Sequence, residues 1–374
     1  MRPTLRFNAR VFTAFLIVGL AMLAAASYLV VGIGQARQRS ASGEHLRQVA
    51  DQAVAAVDAH VYRRIIDASV LARAAEVREA ASAGSRSPFN REAALAIERE
   101  WQRAGTAPEA VRAVFAAPAS SFLADVVRIN TTYKEVIVTD LYGRLVAASG
   151  LPSDYLQSDE PWWVESFGDG VHGALTVGDV TYDESSKTWG IEISVPVEDP
   201  AGGRLAGILK AVADIRELGA VLGGVRMGAT GEADLLREDG TFVYSLRPVD
   251  RGATFYAGDL LRERMSMAAR EGISPLHFAA LAPDGTRRVV GVAVSQLKAS
   301  YPKLSWVVAV SQAEEELFGP VRAQGASLVI VLALTAVAVL LLALWFSSEL
   351  ARPPEPAEMD MHLVEHPPVH RIAD

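Results

Sequence analysis

Residues 136–149 read VIVTDLYGRLVAAS, and residues 233–245 read ADLLREDGTFVYS. Each is an apolar β-prone run, an acidic turn closed by glycine, and a second apolar run, which is a hairpin pattern. In the first, Glu135–Thr139 alternates apolar and polar, Asp140-Leu141-Tyr142-Gly143 turns, and Leu145–Ala148 returns. A second pair of echoes lies downstream of each hairpin. GILKAVADIREL (207–218) and WVVAVSQAEEEL (306–317) both run from a strand into an acidic helix start. Repetition of one scheme predicts two antiparallel-sheet modules in tandem, at about 120–218 and 225–312.

Upstream, residues 35–83 are rich in Ala, Arg, Glu and Gln and contain no proline. Leu46, Val49, Val54, Val57, Val61, Ile65 and Val70 form an apolar stripe at helical spacing, which predicts one long helix. Its stripe needs a partner, either the following modules or the same helix of a second subunit, so a parallel homodimer is expected. Gly84, Ser85, Ser87 and Pro88 mark the break after it, and shorter helices follow near 91–103 and 108–115. The fold class is α+β.

Two uncharged apolar runs flank this region. Residues 11–33 read VFTAFLIVGLAMLAAASYLVVGI, and 326–346 read ASLVIVLALTAVAVLLLALWF. At about 1.5 Å rise per residue each reaches across a hydrocarbon core of about 30 Å. They predict transmembrane helices at 11–33 and 325–346, with Trp345 and Phe346 at the interface. The plainer reading of the first is a cleaved signal peptide, given Arg2, Arg6, Arg10 and Ala24-Ala25-Ala26. The apolar run continues through Tyr28–Val31, longer than a signal needs. The arginines before the first span place residues 1–10 and the tail in the cytoplasm. Residues 34–324 then lie in the periplasm of a two-pass inner-membrane protein. Residues 347–374 are Pro-rich and charged, so disorder is expected.

The ordered set of VIVTDLYGRLVAAS, DYLQSDEPWW (154–163), VGDVTYDESSKTWGIEISVPV (177–197) and GGRLAGILKAVADIREL (202–218) resembles the double Cache sensor domains of bacterial chemoreceptors, histidine kinases and cyclic-dinucleotide enzymes. The resemblance covers residues 36–322. It implies a long helix with a membrane-distal and a membrane-proximal PAS-like module, ligand being held in the distal one. It also implies an output domain, where this sequence has only the short tail. Signalling through a separate partner protein, or a truncated receptor, are the two expectations.

In the amino-acid-binding branch of that family the distal pocket carries Y-x4-R-x-W-Y. Here Tyr155, Trp162 and Trp163 match its aromatic positions, Trp163 standing for tyrosine, while Glu160 stands where the arginine would grip a carboxylate. Tyr182, Asp183 and Asp214 complete the candidate site. Aromatic faces plus carboxylates suit a cation, at about 0.5–2 kcal/mol per ring, so an amine or quaternary-ammonium ligand is expected. Replacing Trp163 with alanine should remove binding while leaving the domain folded. The plainer reading makes these aromatics sheet core and the acids loop caps. Lys210 and Asp214, at i and i+4, could form a salt bridge.

No HExxH, P-loop, GxSxG or GxGxxG motif occurs in proper context, so no enzyme is expected. With no cysteine, thiolate metal sites and disulfides are excluded. Asp154, Asp159 and Glu160 lack a calcium loop's glycine spacing. His362, His366 and His370 are interrupted by Pro367 and Pro368, and no cofactor is expected. A net charge of −8 without a basic stripe speaks against nucleic acid. The alternative from another class is a scaffold or solute-capturing membrane protein without a signalling ligand.

Overall fold

The computed structural model describes residues 9–225, 227–250, 252–271 and 277–349. The histidine tail lies outside them. The chain divides into two units, residues 38–320 and a second made of 1–37 with 321–374. Helices α1 (Ala9–Leu71), α2 (Ala75–Arg86), α3 (Arg91–Ala104), α4 (Glu109–Phe115) and α5 (Pro118–Ile129) come first. The distal module follows: β1 (Tyr133–Asp140), β2 (Leu145–Ala148), α6 (Pro161–Phe167), β3 (Thr176–Asp183), β4 (Thr188–Glu198) and β5 (Leu205–Asp214). After α7 (Leu218–Gly223) comes the proximal module: β6 (Glu232–Arg237), β7 (Phe242–Ser245), α8 (Gly258–Glu271), β8 (His277–Leu281), β9 (Arg287–Val294) and β10 (Trp306–Ala313). Helix α9 (Glu314–Glu349) closes the described chain.

Both sheets are antiparallel and share one topology, β2-β1-β5-β4-β3 and β7-β6-β10-β9-β8. The repeated hairpins are β1–β2 and β6–β7. Asp140 Oδ1 accepts the Tyr142 and Arg144 amides at 2.8 and 2.9 Å, and Gly143 adopts φ +80°, which only glycine takes without cost. Asp239 and Gly240 repeat the device, with the Thr241 amide at 2.8 Å and φ +86°.

The helical stripe finds its partner in the same subunit. Leu46, Val54, Val57, Val61 and Ile65 are buried in one core with Val136, Leu209 and Ala211 of the distal sheet and Leu235, Val308 and Val310 of the proximal one. One helix thus underlies both modules, and Leu46 to Ile65 of the stripe are covered within the subunit. Val70, the last residue of the expected stripe, is 64% exposed, and with Tyr62 and Ile66 it lies on the outer face. The helix also breaks earlier than expected, after Leu71, without glycine or proline. Tertiary packing explains the new direction: α2 buries Val77 and Ala81 against the distal sheet, where Gly207 brings its backbone beside Ala81.

The modules are pinned together at Asp179 of β3. Its carboxylate accepts Arg237 Nε at 2.5 Å and Nε1 of the fully buried Trp306 at 2.9 Å. The two expected spans fall within α1 and α9, parts of each lying on side chains outside the described set. Among the described residues no single helix is long and apolar enough to cross a membrane; Leu16–Ala25 and Ala333–Trp345 are the shorter apolar stretches.

Candidate ligand site

Strand alternation gives the distal sheet two faces. Leu209, Ala211 and Ala213 of β5 point into the α1 core, while Ile208 packs with Ile137, Leu145, Trp162 and Trp163 on the other face. Lys210 shares that second face. It pairs across the sheet with Ile137 and Ser194, and the next rung sets Glu135 and Glu192 on either side of Val212. Register alone therefore gathers a lysine and two acids, and β3 adds Asp183.

Lys210 Nζ lies 3.1 Å from Asp183 Oδ2, 3.5 Å from Glu135 Oε1 and 3.7 Å from Glu192 Oε1. It also sits 5.6 Å from the centre of the Trp162 ring, a cation–π distance. Burial works against the Lys210 charge, but the Glu135, Glu192 and Asp183 carboxylates outweigh it and raise its pKa. Burial also opposes ionisation of Asp183. Lys210 and hydrogen bonds from Ser186 and Ser185 overcome it and hold that carboxyl at about 2. Glu135 goes the other way, burial pushing it up against the pull of Lys210.

Ser185 Oγ lies 2.5 Å from Glu135 Oε2 and 2.7 Å from Asp183 Oδ1. One hydroxyl proton cannot serve two carboxylates. The Ser185 hydroxyl donates to Glu135 Oε2 or to Asp183 Oδ1, so the two carboxyls compete for one donor. Glu135 Oε1 is buried and its one partner is the Lys210 ammonium at 3.5 Å, long for a hydrogen bond. A buried acceptor whose one donor is so distant is a place where a ligand N–H gains free energy.

Asp183 also sets an acid limit. A carboxyl depressed when folded contributes stability above its unfolded pKa and loses it as pH falls through the folded value. Denaturant titrations should therefore show stability falling between pH of about 4 and about 2, more steeply in the wild type than in Asp183→Asn. Equal slopes would remove Asp183 from this role.

Helix α6 brings in Glu160, Trp162 and Trp163. Pro161 opens the helix, and Glu160, at its N-cap, makes no capping bond with its side chain. Burial raises the Glu160 pKa, helped by Asp154 and Asp159, while Lys210 pulls it down. Trp163 is 7% exposed; Nε1 donates to Thr139 Oγ1 at 3.0 Å and the ring stacks on Phe167 at 4.6 Å. Such a residue carries packing energy, so alanine there is expected to cost stability as well as ligand contact. Tyr155 is half-buried at the rim of this cluster.

The other two expected residues lie elsewhere. Tyr182 is 40% exposed, its ring 5.6 Å from Trp189. Asp214 takes the Arg216 amide at 2.8 Å and its guanidinium at 2.6 and 2.9 Å. Lys210 thus pairs with Asp183, and Asp214 with Arg216. Tyr182 and Asp214 both line a cavity between the modules. Lys210, Glu135, Glu192 and Ser185 were missed as site residues. For Lys210, Glu135 and Glu192 the signal was a charge within an otherwise apolar strand, as in LAGILKAVAD and KEVIVTD, while Ser185, a turn residue, carried none.

Two sheets of one topology on a shared helix, with a charged cluster on the distal sheet's outer face, define a tandem PAS-like region. Residues 35–321 match the Cache domain family, and the chain belongs to it. Among solved structures it is similar to the ligand-binding domain of the Pseudomonas aeruginosa amino acid chemoreceptor PctB in complex with L-Arg. The identity is 14% and the TM-score 0.45, over 76% of this chain and 93% of that one. For the ligand-binding domain of the Campylobacter jejuni chemoreceptor Tlp3 with L-norvaline the figures are 11%, 0.46, 75% and 94%. The extracellular domain of the putative histidine kinase rpHK1S-Z16 gives 15%, 0.44, 78% and 98%. Comparison with curated proteins returns no match.

Proposed function

We propose that this chain is a membrane-anchored, extracytoplasmic small-molecule sensor whose distal module binds an ammonium-bearing ligand. The observation that carries the ligand class is the imbalance of charge on the distal face. Four carboxyl groups, Glu135, Glu160, Asp183 and Glu192, surround or face one ammonium, Lys210. An amine or quaternary ammonium supplies positive charge there, and Trp162 supplies a ring face. The apolar segments of α1 and α9 anchor the region in the inner membrane, with residues 34–324 in the periplasm. Output passes to a separate protein, and no catalysis is involved. A homodimer would have to use the outer face of α1, at Tyr62, Ile66 and Val70.

A ligand works as a signal only if it binds two conformations unequally. Asp183, at the end of β3, is part of the site, and Asp179, earlier on the same strand, holds the proximal module. Ligand contact at Asp183 therefore bears on the strand that joins the modules.

A second reading has an observation of its own. Lys210 already lies among the carboxyls and over Trp162, so the site is filled by its own side chain, as a scaffold would have it. A thermal-shift screen of the full chain in detergent separates the two, using amines, betaines, amino acids, organic acids and purines. A ligand confined to the native state adds about 2.7 kcal/mol at a hundredfold excess over Kd. Hits among amines are expected. Hits among organic acids alone overturn the ammonium assignment, and no hit from a folded chain favours the scaffold.

A further inference from the structure

The cavity between the modules, about 540 Å³ in volume, is separate from the Lys210 face and within the size range of small-molecule sites. Its walls are aromatic on both sides, with Tyr182 and Trp189 from the distal hairpin and Phe242 and Tyr244 from β7. Its charged residues are Lys187, Arg216, Arg237, Arg247, Asp214 and Asp250. Arg237 and Arg247 are paired with acids behind the wall, so Lys187 and Arg216 are the cations that face the cavity.

Those two cations have donors to spare. Arg216 binds Asp214 through Nε and Nη2, leaving Nη1 unused, and its side chain is 73% exposed. Lys187 makes no ion pair or hydrogen bond among the described residues. Lys187 is also the one non-glycine among them with positive φ, at 50°. A lysine in the left-handed region costs about 1–2 kcal/mol where glycine would cost nothing. The strain is local, and it sets an unpartnered ammonium at the mouth of an aromatic cavity. Arg237 and Arg247, by contrast, are engaged by Asp179 and Asp234 behind the wall.

We infer that this cavity is a second ligand site, which takes a small organic monoanion with an aromatic or branched apolar body. The carboxylate is bound by Lys187 and Arg216 and the body by the four rings, a charge-assisted contact over an apolar floor. Because the walls come from both modules, occupancy ties the distal sheet to the proximal one. This site does not depend on the distal reading.

The test is isothermal titration of benzoate, phenylacetate and isovalerate into the full chain in detergent, with benzylamine as the charge control. The variants are Lys187→Asn, which keeps a residue at ease at positive φ, combined with Arg216→Gln, and separately Glu192→Gln at the distal cluster. Expected is binding of at least one carboxylate, weakened about tenfold or more in the double variant and unchanged in Glu192→Gln. No heat from any of the three up to about 10 mM overturns the site. So does a Kd that the double variant leaves unaltered, or benzylamine binding that the double variant weakens as much as that of the carboxylates, since an amine held at the distal face does not depend on Lys187 or Arg216.

Discussion

Replacing Lys210 with methionine lowers the unfolding free energy of the sensor region by about 3–5 kcal/mol at neutral pH, the usual consequence of removing one partner from a buried charge cluster. Methionine keeps the length and apolar stem, so the loss is one of charge. What remains is Asp183 at 3.1 Å and Glu192 at 3.7 Å from the vacated ammonium position, with Glu135 beside them. The wild-type lysine has a raised pKa, so its contribution is complete below the unfolded lysine value and disappears only as pH rises through the folded one. Across pH 5–8 the wild type should hold this stability. The variant should behave differently, because its uncompensated carboxyls take up protons as pH falls. The difference between the two, measured by urea titration, is therefore expected to be smaller at pH 5 than at pH 8. A Lys210→Met protein as stable as wild type at pH 8 would show that the carboxyls do not need this charge.

Trp163→Ala is expected to cost a further large amount, about 3–5 kcal/mol, typical of deleting a buried tryptophan from a packed cluster. Three contributions add. The ring leaves a cavity between Ile137, Ile208 and Phe167; its stack on Phe167 is lost; and the Thr139 hydroxyl loses its donor. Trp163→Phe keeps the stack and most of the volume, so it should recover more than half of that loss. Urea unfolding of both variants checks this. Equal destabilisation by alanine and phenylalanine would assign the energy to the Thr139 hydrogen bond instead of packing.

The repeated modules were legible because the decisive chemistry is local. An Asp side chain capping a turn closed by a positive-φ glycine occurs in both DLYG and EDG, and the flanking apolar runs become neighbouring strands. The helical stripe was equally legible, but not its partner, since burial against one's own sheets and against a second subunit require the same spacing. The break after Leu71 was not, because no residue there disfavours a helix and packing of Val77 and Ala81 decides it. Of the candidate site, Glu160, Trp162 and Trp163 arrive together on one short helix. Tyr182 and Asp183 could not share a pocket, because neighbours on a strand face opposite sides. Asp214 is captured locally by Arg216, two residues on. Lys210 joins Asp183 only through pairing of β3, β4 and β5, and sequence spacing does not reveal that.

Isothermal titration of an amine from the ligand screen into the full chain, and into its Glu160→Gln/Glu192→Gln variant, tests the central claim most directly. These two carboxyls are the less buried of the four, so their loss should leave the fold in place. An ammonium ligand held by the distal carboxyls predicts a loss of affinity of about tenfold or more in the double variant. The same Kd in both proteins would contradict it.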